Sequence, residues 1–264
     1  MVSPKAADHL RSALVCVVGF PATVIHRDTT VLDRWLWLRK HLRTIPTGSK
    51  TLIDVGCGTG AFTIGAARMG YCSLGLSWDQ RSQRVATERA ALCHADLARF
   101  ELQDVRKLEE RVDFKGQFDV AICLECIEHI LNDAKLMVDI ASCLKPGGTL
   151  LLTTPNFHLR PVNRDDVVIS TVENGLHVRR GYTPHDLERL CGAAGFDIEQ
   201  IDYCTGPISQ KLTGLYRNIQ KRASYPVAWA LVLPLRWIPP LFDELATRLT
   251  KWPGYSITLV AQKR

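Results

Sequence analysis

The sequence of 264 residues lacks both a long unbroken apolar run and a regular cysteine framework. Its nine cysteines are odd in number and follow no repeated spacing, which is typical of reduced cytosolic thiols. The Cys-x-x-Cys pair, Cys123 and Cys126, has no second pair to complete a zinc site. The apolar stretch 13–25 contains Gly19 and Pro21 and is shorter than the ~20 residues of a spanning helix, so it predicts neither a membrane span nor a secretory signal. We therefore expect a cytoplasmic protein.

Acidic residues are scarce in one region only. From Gly206 to the C-terminus two acids, Asp243 and Glu244, oppose nine basic residues, so this part carries a net charge of +7 while residues 1–205 carry −1. The proline-interrupted apolar stretch 225–242 lies in the same region. Apolar residues beside cations suit either a lid or homodimer surface, or peripheral attachment to an anionic membrane. No nucleic-acid partner is expected, because a Pro-rich aromatic segment is not a groove-reading element.

Apolar runs alternate with helical patterns along the chain, which predicts a parallel sheet with helices on both faces. The predicted strands are Thr51–Val55, Cys72–Ser77, Phe100–Asp104, Phe118–Leu124, Thr149–Thr154, Phe196–Cys204 and Tyr255–Gln262. The predicted helices are Asp28–Arg43, Ala61–Met69, Asp79–Ala95, Asn132–Leu144 and Thr183–Gly195. A turn is predicted at Lys145–Gly148, before the fifth strand. The stretch Gly206–Gly254 separates the last two strands, and we interpret it as an insertion on the core.

A glycine-rich turn follows the first predicted strand. Residues 54–60, with the sequence DVGCGTG, end that strand and open a helix, and glycines there let a ligand approach the backbone closely. The spacing Gly56-x-Gly58-x-x-Ala61 also satisfies the dinucleotide fingerprint, so an NAD-dependent oxidoreductase is an alternative. Against NAD, the carboxylate of Asp54 would repel a pyrophosphate, whereas it suits an ammonium or a sulfonium group.

Four motifs stand in order along this core. They are LIDVGCGTG at 52–60, FDV at 118–120, LKPGG at 144–148 and LTTPN at 152–156. Together they resemble the class I S-adenosylmethionine (SAM)-dependent methyltransferases, and among these the branch that contains the ubiquinone-biosynthesis O-methyltransferases. The resemblance covers residues 48–204 and the last strand. It implies methyltransferase activity, with SAM as cofactor and S-adenosylhomocysteine as product.

The resemblance also implies the architecture. The expected fold is an α/β, Rossmann-like, doubly wound sheet of seven strands, mostly parallel with one antiparallel strand. Residues 1–47 would form an N-terminal helical cap, 48–205 the SAM-binding core, 206–254 the insertion and 255–264 the last core strand. The apolar face of the N-terminal helix, which includes Trp35, would either line the acceptor pocket or pack against the core.

Position by position, the resemblance assigns the cofactor contacts. The glycine turn would hold the methionine part, and Asp104 would face the adenine amino group with Val105 beside the ring. Ser77 stands where the family commonly has an acid for the ribose hydroxyls, so Asp79 either replaces that acid or only caps a helix. Trp78 would stack on the adenine. The full predicted set is Asp54, Gly56, Cys57, Gly58, Gly60, Ser77, Trp78, Asp79, Asp104, Val105 and Leu124.

The segment after the fourth strand, ECIEH at 125–129, lies where a base for the acceptor is expected. His129 is the candidate general base, beside Glu128, because imidazoles titrate near neutral pH; the alternative is that both residues only open a helix. The resemblance implies a divalent metal ion on Glu125, Glu128 and His129, although relatives with these residues also work without one. Mg²⁺ or Zn²⁺ there would lower the pKa of an acceptor hydroxyl.

Two histidines, His158 and His177, follow the fifth strand in a loop that approaches the substrate in this fold, and the alternative is that both are solvated. Together these features predict O-methylation of a small or lipophilic hydroxylated acceptor, such as a phenol or quinol precursor. An N- or C-methyltransferase of secondary metabolism, the NAD-dependent oxidoreductase and a non-catalytic SAM-fold subunit are the alternatives. The motifs leave the identity of the acceptor open.

Overall fold

Short apolar strands form one sheet in the computed structural model, which describes residues 12–25, 29–45, 50–161 and 169–264. The strands are β1 Thr51–Val55, β2 Cys72–Ser77, β3 Ala98–Leu102, β4 Phe118–Leu124, β5 Leu144–Pro155, β6 Phe196–Cys204 and β7 Ser256–Lys263. Within these described ranges the order across the sheet is β3-β2-β1-β4-β5-β7-β6, and β7 runs antiparallel to both of its neighbours. The predicted doubly wound sheet of seven strands with one antiparallel strand is confirmed.

Helices connect these strands and follow the predicted order. A short helix, Pro21–Val24, comes first, and the longer helices with defined bounds are α1 Thr29–Thr44, α2 Ala61–Arg68, α3 Gln80–Leu92, α4 Asp133–Cys143, α5 Pro184–Ala193, α6 Pro207–Gln220, α7 Tyr225–Val232 and α8 Pro239–Thr250. Local signals set their starts: Thr183 and Asp186 form a reciprocal capping box on α5, and Asn132 caps α4. Across the described part of the chain, each helix is either too short or too polar to cross a membrane.

The end of the third strand differs from the prediction for a physical reason. The third strand covers Ala98–Leu102, so Asp104 does not end it. The Asp104 carboxylate instead accepts a hydrogen bond from the backbone N–H of Arg106 (3.0 Å) and caps the 3₁₀ helix Val105–Glu110. A short acidic side chain that can cap the next turn therefore ends the extended backbone early.

The predicted turn at Lys145–Gly148 lies inside β5 as a bulge. The register passes from Phe118 opposite Leu144 to Val120 opposite Thr149, so the turn residues loop out between these two pairs. Helices α3 and α5 also end slightly earlier than predicted. The remaining bounds of the core agree with the prediction to within a residue or two.

Alternate residues of the strands face two separate apolar clusters, one on each side of the sheet. Leu38 of α1 is fully buried in one cluster, while Leu136 of α4 and Leu187 of α5 belong to the other. Trp35 lies in the α1 cluster at 6% exposure, with its ring 5.0 Å from that of Phe20. The structure thus gives Trp35 a packing role in the core, and its predicted acceptor contact gains no support.

The predicted insertion forms α6 to α8, and buried polar contacts join α8 to the start of α6. Asp243 of α8 accepts hydrogen bonds from the backbone N–H groups of Gly206 (2.9 Å), Ile208 (2.8 Å) and Ser209 (3.2 Å), where α6 begins. Asp33 of α1 lies at the same junction, and its Oδ2 is buried. The junction therefore places two carboxyl groups close together out of water.

Burial raises the pKa of Asp33 to about 7, although hydrogen bonds from Ser209 and Thr205 oppose the shift and the nearby Asp243 adds to it. A carboxyl group with a raised pKa holds more protons in the folded state than in the unfolded state. Ionisation of Asp33 therefore lowers the free energy of unfolding. This loss is absent below the unfolded pKa of about 3.9, grows as the pH rises, and is complete above the pKa of the folded state.

We expect Asp33→Asn to raise the melting temperature at pH 8 and to change it little at pH 4.5. The cost removed at pH 8 is at most about 4 kcal/mol, since one pKa unit corresponds to about 1.4 kcal/mol. Thermal denaturation at both pH values measures the difference. Glu88→Gln removes an exposed acid of α3 and serves as the control. An equal effect of Asp33→Asn at the two pH values would contradict the raised pKa.

Candidate active site

The glycine turn after β1 is held tightly at two positions and open at a third. Gly56, Gly58 and Gly60 all have positive φ values of 85°, 52° and 79°. A Cβ on Gly56 would lie 2.5 Å from Sγ of Cys126, and one on Gly60 would lie 2.8 Å from the ring of Phe100. A Cβ on Gly58 would meet no described atom within 4 Å. The turn thus presents open backbone at Gly58, as a cofactor lying close to the main chain requires.

Hydrogen bonds beneath the turn fix it to the neighbouring strand and helix. The backbone N–H of Cys57 donates to the carbonyl of Leu76 in β2 (2.9 Å). Asp54 is 1% exposed and accepts a hydrogen bond from Oγ1 of Thr63 (2.6 Å), which joins β1 to α2. Burial raises the pKa of Asp54 to about 7 against the effect of Thr63. The Asp54 carboxylate thus braces the turn from within, and its predicted contact with the methionine part remains a prediction.

The contacts of Asp79, just after β2, distinguish its two predicted roles, which are a ribose contact and a helix cap. Its Oδ1 accepts from the backbone N–H of Arg81 (3.2 Å) and its Oδ2 from that of Ser82 (3.0 Å), and the Ser82 hydroxyl lowers the Asp79 pKa. These are the contacts of a helix cap. Ser77 is buried and accepts from the Asp79 N–H (3.2 Å), whereas Trp78 is 65% exposed. Among Ser77, Trp78 and Asp79, Trp78 therefore has the side-chain surface that is most accessible for stacking on the adenine.

Beyond β3, the Asp104 carboxylate is already paired. It accepts hydrogen bonds from Nε (2.8 Å) and Nη2 (2.6 Å) of Arg106, and this pairing lowers the Asp104 pKa. Arg106 also donates to Glu173 (2.8 Å). Val105 and Leu124 are 5% and 6% exposed and pack within the apolar clusters. Contact between Asp104 and an adenine amino group would therefore have to be shared with Arg106.

Glu125, directly after β4, ties four elements together. It has a positive φ of 51°, which is unusual for a residue with a side chain. Its Oε1 accepts from the hydroxyls of Thr153 in β5 (3.0 Å) and Ser256 in β7 (2.9 Å), and its Oε2 pairs with Arg34 of α1 (2.9 Å). Because its charge is balanced and both oxygens are engaged, Glu125 does not fit the predicted role of metal ligand.

The structure instead brings Glu128, His129 and His177 together. Their ligand atoms lie within 4.8 Å of one another, and the His129 and His177 rings are 4.6 Å apart in an edge-to-face arrangement. Glu128 is fully buried, with Oε1 3.9 Å from Nε2 of His129. Burial, and then repulsion by Glu125, raise the Glu128 pKa well above its usual value. The exposed His158 contacts the ring of Phe157 and is not part of this group.

The supporting residues that were not among the predicted site residues include Arg34, Thr63 and Ser256. A signal existed for Arg34, because it lies four residues before the fully buried Leu38 and so shares the apolar face of α1. A cation on a buried helix face needs an anionic partner. Thr63 and Ser256 carry no such signal, since their role depends on which strands become neighbours.

A cavity of about 680 Å³ lies at the opposite edge of the sheet. It is lined by residues such as Lys40, Thr149 and Gln262, at the start of β5 and the end of β7. These residues are remote in the topology from the glycine turn, so the carboxyl edge remains the candidate site.

Comparison with known proteins points to one family. The family described as "Methyltransferase domain" matches residues 30–201. A ubiquinone biosynthesis O-methyltransferase of Thiobacillus denitrificans is 26% identical over 198 residues, which cover 73% of this chain and 81% of that protein.

Two solved structures share this fold. Phosphoethanolamine N-methyltransferase 2 of Haemonchus contortus, in complex with SAM, has a TM-score of 0.60 at 20% identity over 87% of this chain and 52% of that one. A [4+2]-cyclase has a TM-score of 0.57 at 20% identity over 87% of this chain and 80% of that one. At these identities the structures establish the shared fold alone.

Gly58→Val should abolish SAM binding and leave the protein folded, because it places a branched side chain in the open space beside the turn. Calorimetric titration with SAM measures the effect. Gly70→Val is the matched control, since Gly70 also has a positive φ of 95° and open space but lies in the turn after α2. If Gly58→Val keeps the wild-type SAM affinity, the cofactor site has been mislocated.

Proposed function

The chain belongs to the SAM-dependent methyltransferases, and we propose that it methylates a hydroxyl oxygen on a small or lipophilic, phenol- or quinol-like acceptor. The observation that carries this proposal is His129 at the carboxyl edge of the sheet, beside Glu128 and His177. The O-methyltransferase name of a relative that covers 73% of this chain supports it. Membership of this family decides against the NAD-dependent oxidoreductase, and turnover of an acceptor would decide against the non-catalytic subunit.

SAM supplies an activated methyl group whose sulfonium leaving group needs little chemical help, so an enzyme contributes mainly position. In our proposal the open backbone at Gly58 admits the methionine part, and Trp78 covers the adenine. Val105 and Leu124 form an apolar floor at the ends of the strands. Arg106 holds Asp104 at the rim, where its carboxylate can share a hydrogen bond with the cofactor.

A hydroxyl acceptor must lose its proton as the new bond to carbon forms. We assign that proton to His129, whose ring is 30% exposed and is held edge-on by His177. The buried carboxyl of Glu128 lies 3.9 Å from Nε2 of His129, and a positive charge on that ring would favour the ionised form of the carboxyl. The alternative product is an N- or C-methylated one. An amine acceptor deprotonated in solution would need no such base.

The roles of the insertion and of the two ends of the chain are proposals. We propose the divisions 1–47, 48–205, 206–254 and 255–264 as cap, SAM-binding core, insertion and last strand. The positive insertion favours peripheral contact with an anionic membrane, which suits a lipophilic acceptor. A lid over the site or a homodimer through the same segment is the competing proposal.

His129→Ala should lower kcat by roughly 10²–10⁴-fold, the usual contribution of a general base, with little change in SAM affinity. Transfer of labelled methyl from SAM to a panel of phenols and catechols measures kcat. His185→Ala, at an exposed position on α5, is the control and should keep full activity. Activity within a few-fold of wild type in His129→Ala would remove His129 from catalysis and favour the N- or C-methylation alternative.

A divalent ion on Glu128, His129 and His177 is the rival explanation of the same cluster, because mixed oxygen and imidazole donors suit Zn²⁺ or Mn²⁺. We expect EDTA to leave the turnover of the wild type unchanged. His177→Ala should then reduce kcat less than His129→Ala does, since His177 only supports the ring. Loss of activity in EDTA that Zn²⁺ or Mn²⁺ restores, together with equal losses in the two variants, would establish a metal centre instead.

A further inference from the structure

Helix α8 turns its apolar side outward. Leu241, Leu245 and Leu249 are 74%, 56% and 76% exposed, whereas Asp243 is only 9% exposed. A surface helix of a soluble domain usually buries its leucines and exposes its acids. The orientation of α8 is the reverse of that pattern.

Polar contacts fix this reversed orientation. Asp243 caps the start of α6, and Thr247, one turn later on the same face, lies with Asp243 against Gly206, where an added Cβ would collide with both. At about 100° per residue, Leu241 and Leu245 then point to the opposite side of the helix. The outward leucines are therefore held in place by well-formed hydrogen bonds on the inner face.

The exposed apolar surface extends to the turn before α8. Trp237 and Ile238 are 64% and 38% exposed, and Phe242 is 52% exposed. We define the outer face of α8 as Trp237, Ile238, Leu241, Phe242, Leu245 and Leu249. Contiguous apolar surface of this kind on a soluble domain marks an interaction site.

The segment that carries this face is rich in basic residues and has only two acidic ones. The basic residues of α6 to α8 that keep exposed surface are Lys211, Arg217, Lys221, Arg222, Arg248 and Lys251. Of the two acids in the segment, Asp243 is buried and Glu244 is paired with Arg248 at 2.5 Å. The segment that carries the outer face consequently has a positive net charge.

We propose that the outer face of α8 docks on an anionic lipid bilayer, with its leucines and Phe242 among the acyl chains and the nearby cations on the headgroups. Apolar anchors beside Lys and Arg are the combination that such interfaces bind. With 12 residues, α8 is shorter than the ~20 of a spanning helix, so it would lie along the surface. A second copy of the chain is less suited, because pairing two of these faces would bring like charges together.

Vesicle co-sedimentation of the full chain tests this docking, with phosphatidylcholine vesicles and with phosphatidylcholine–phosphatidylglycerol vesicles at two salt concentrations. We expect binding to the anionic vesicles that salt weakens, and much weaker binding to the neutral ones. The double variant Leu245→Glu, Leu249→Glu should lose about 100-fold or more in partitioning, because two apolar anchors become charged. Lys221→Glu with Arg222→Glu should lose at least about tenfold at low salt.

The matched control is Leu97→Glu with Val138→Glu, which adds the same charge at exposed apolar positions outside the insertion, 44% and 50% exposed. This variant should bind vesicles nearly as well as wild type. Melting temperature and SAM affinity are measured for every variant, so that a folding defect or a failed methyltransferase assignment is recognised separately.

Equal losses in the control and in the α8 variant would overturn the proposal, since the added charge alone would then explain them. Negligible binding of the wild type to both vesicle types would also overturn it. Sedimentation velocity then identifies what covers the outer face. A wild-type dimer that dissociates in the variant Leu245→Glu, Leu249→Glu would show that a second copy covers it. A monomer in both proteins would leave the face to a different protein partner.

Discussion

The candidate site depends on the charge pair between Glu125 and Arg34. Glu125 leaves β4 with a positive φ, which costs of order 1–3 kcal/mol and persists only where neighbours hold it. Thr153, Ser256 and Arg34 do so from β5, β7 and α1. The two paired side chains are only 17% and 10% exposed, and removal of one partner from such a pair typically costs about 3–5 kcal/mol. The turn that carries Glu128 and His129 is therefore set by contacts outside itself.

The parts of the molecule that could be predicted are those governed by neighbours in sequence. Strand bounds such as 118–124, the caps of α4 and α5 and the glycine turn all follow from local patterns. The pairing of Glu125 with Arg34 and the approach of His177 to His129 join residues far apart in the chain. No periodicity encodes those contacts, because they arise only when the sheet order brings the ends of β4, β5 and β7 together.

Several acids for which the family resemblance implied cofactor contacts already have partners within the protein. Asp79 caps α3, Asp104 pairs with Arg106, and Asp54 binds Thr63. Each of these carboxylates organises the backbone from which cofactor contacts would be made. The residues that keep open surface at this edge are Gly58, where an added Cβ would meet no described atom within 4 Å, and Trp78, which is 65% exposed.

The same argument explains why the insertion behaves differently from the core. The core clusters bury leucines on both faces of the sheet, and its helices are oriented by the hydrophobic effect. Helix α8 is oriented by Asp243, whose three backbone hydrogen bonds would be lost if the helix rotated to bury its leucines. Left buried without partners, those N–H groups would cost about 1–3 kcal/mol each. The leucines of α8 are thus exposed because Asp243 on the opposite side of the helix caps α6. Exposing them to water costs free energy, and a partner surface that buries them would recover part of that free energy.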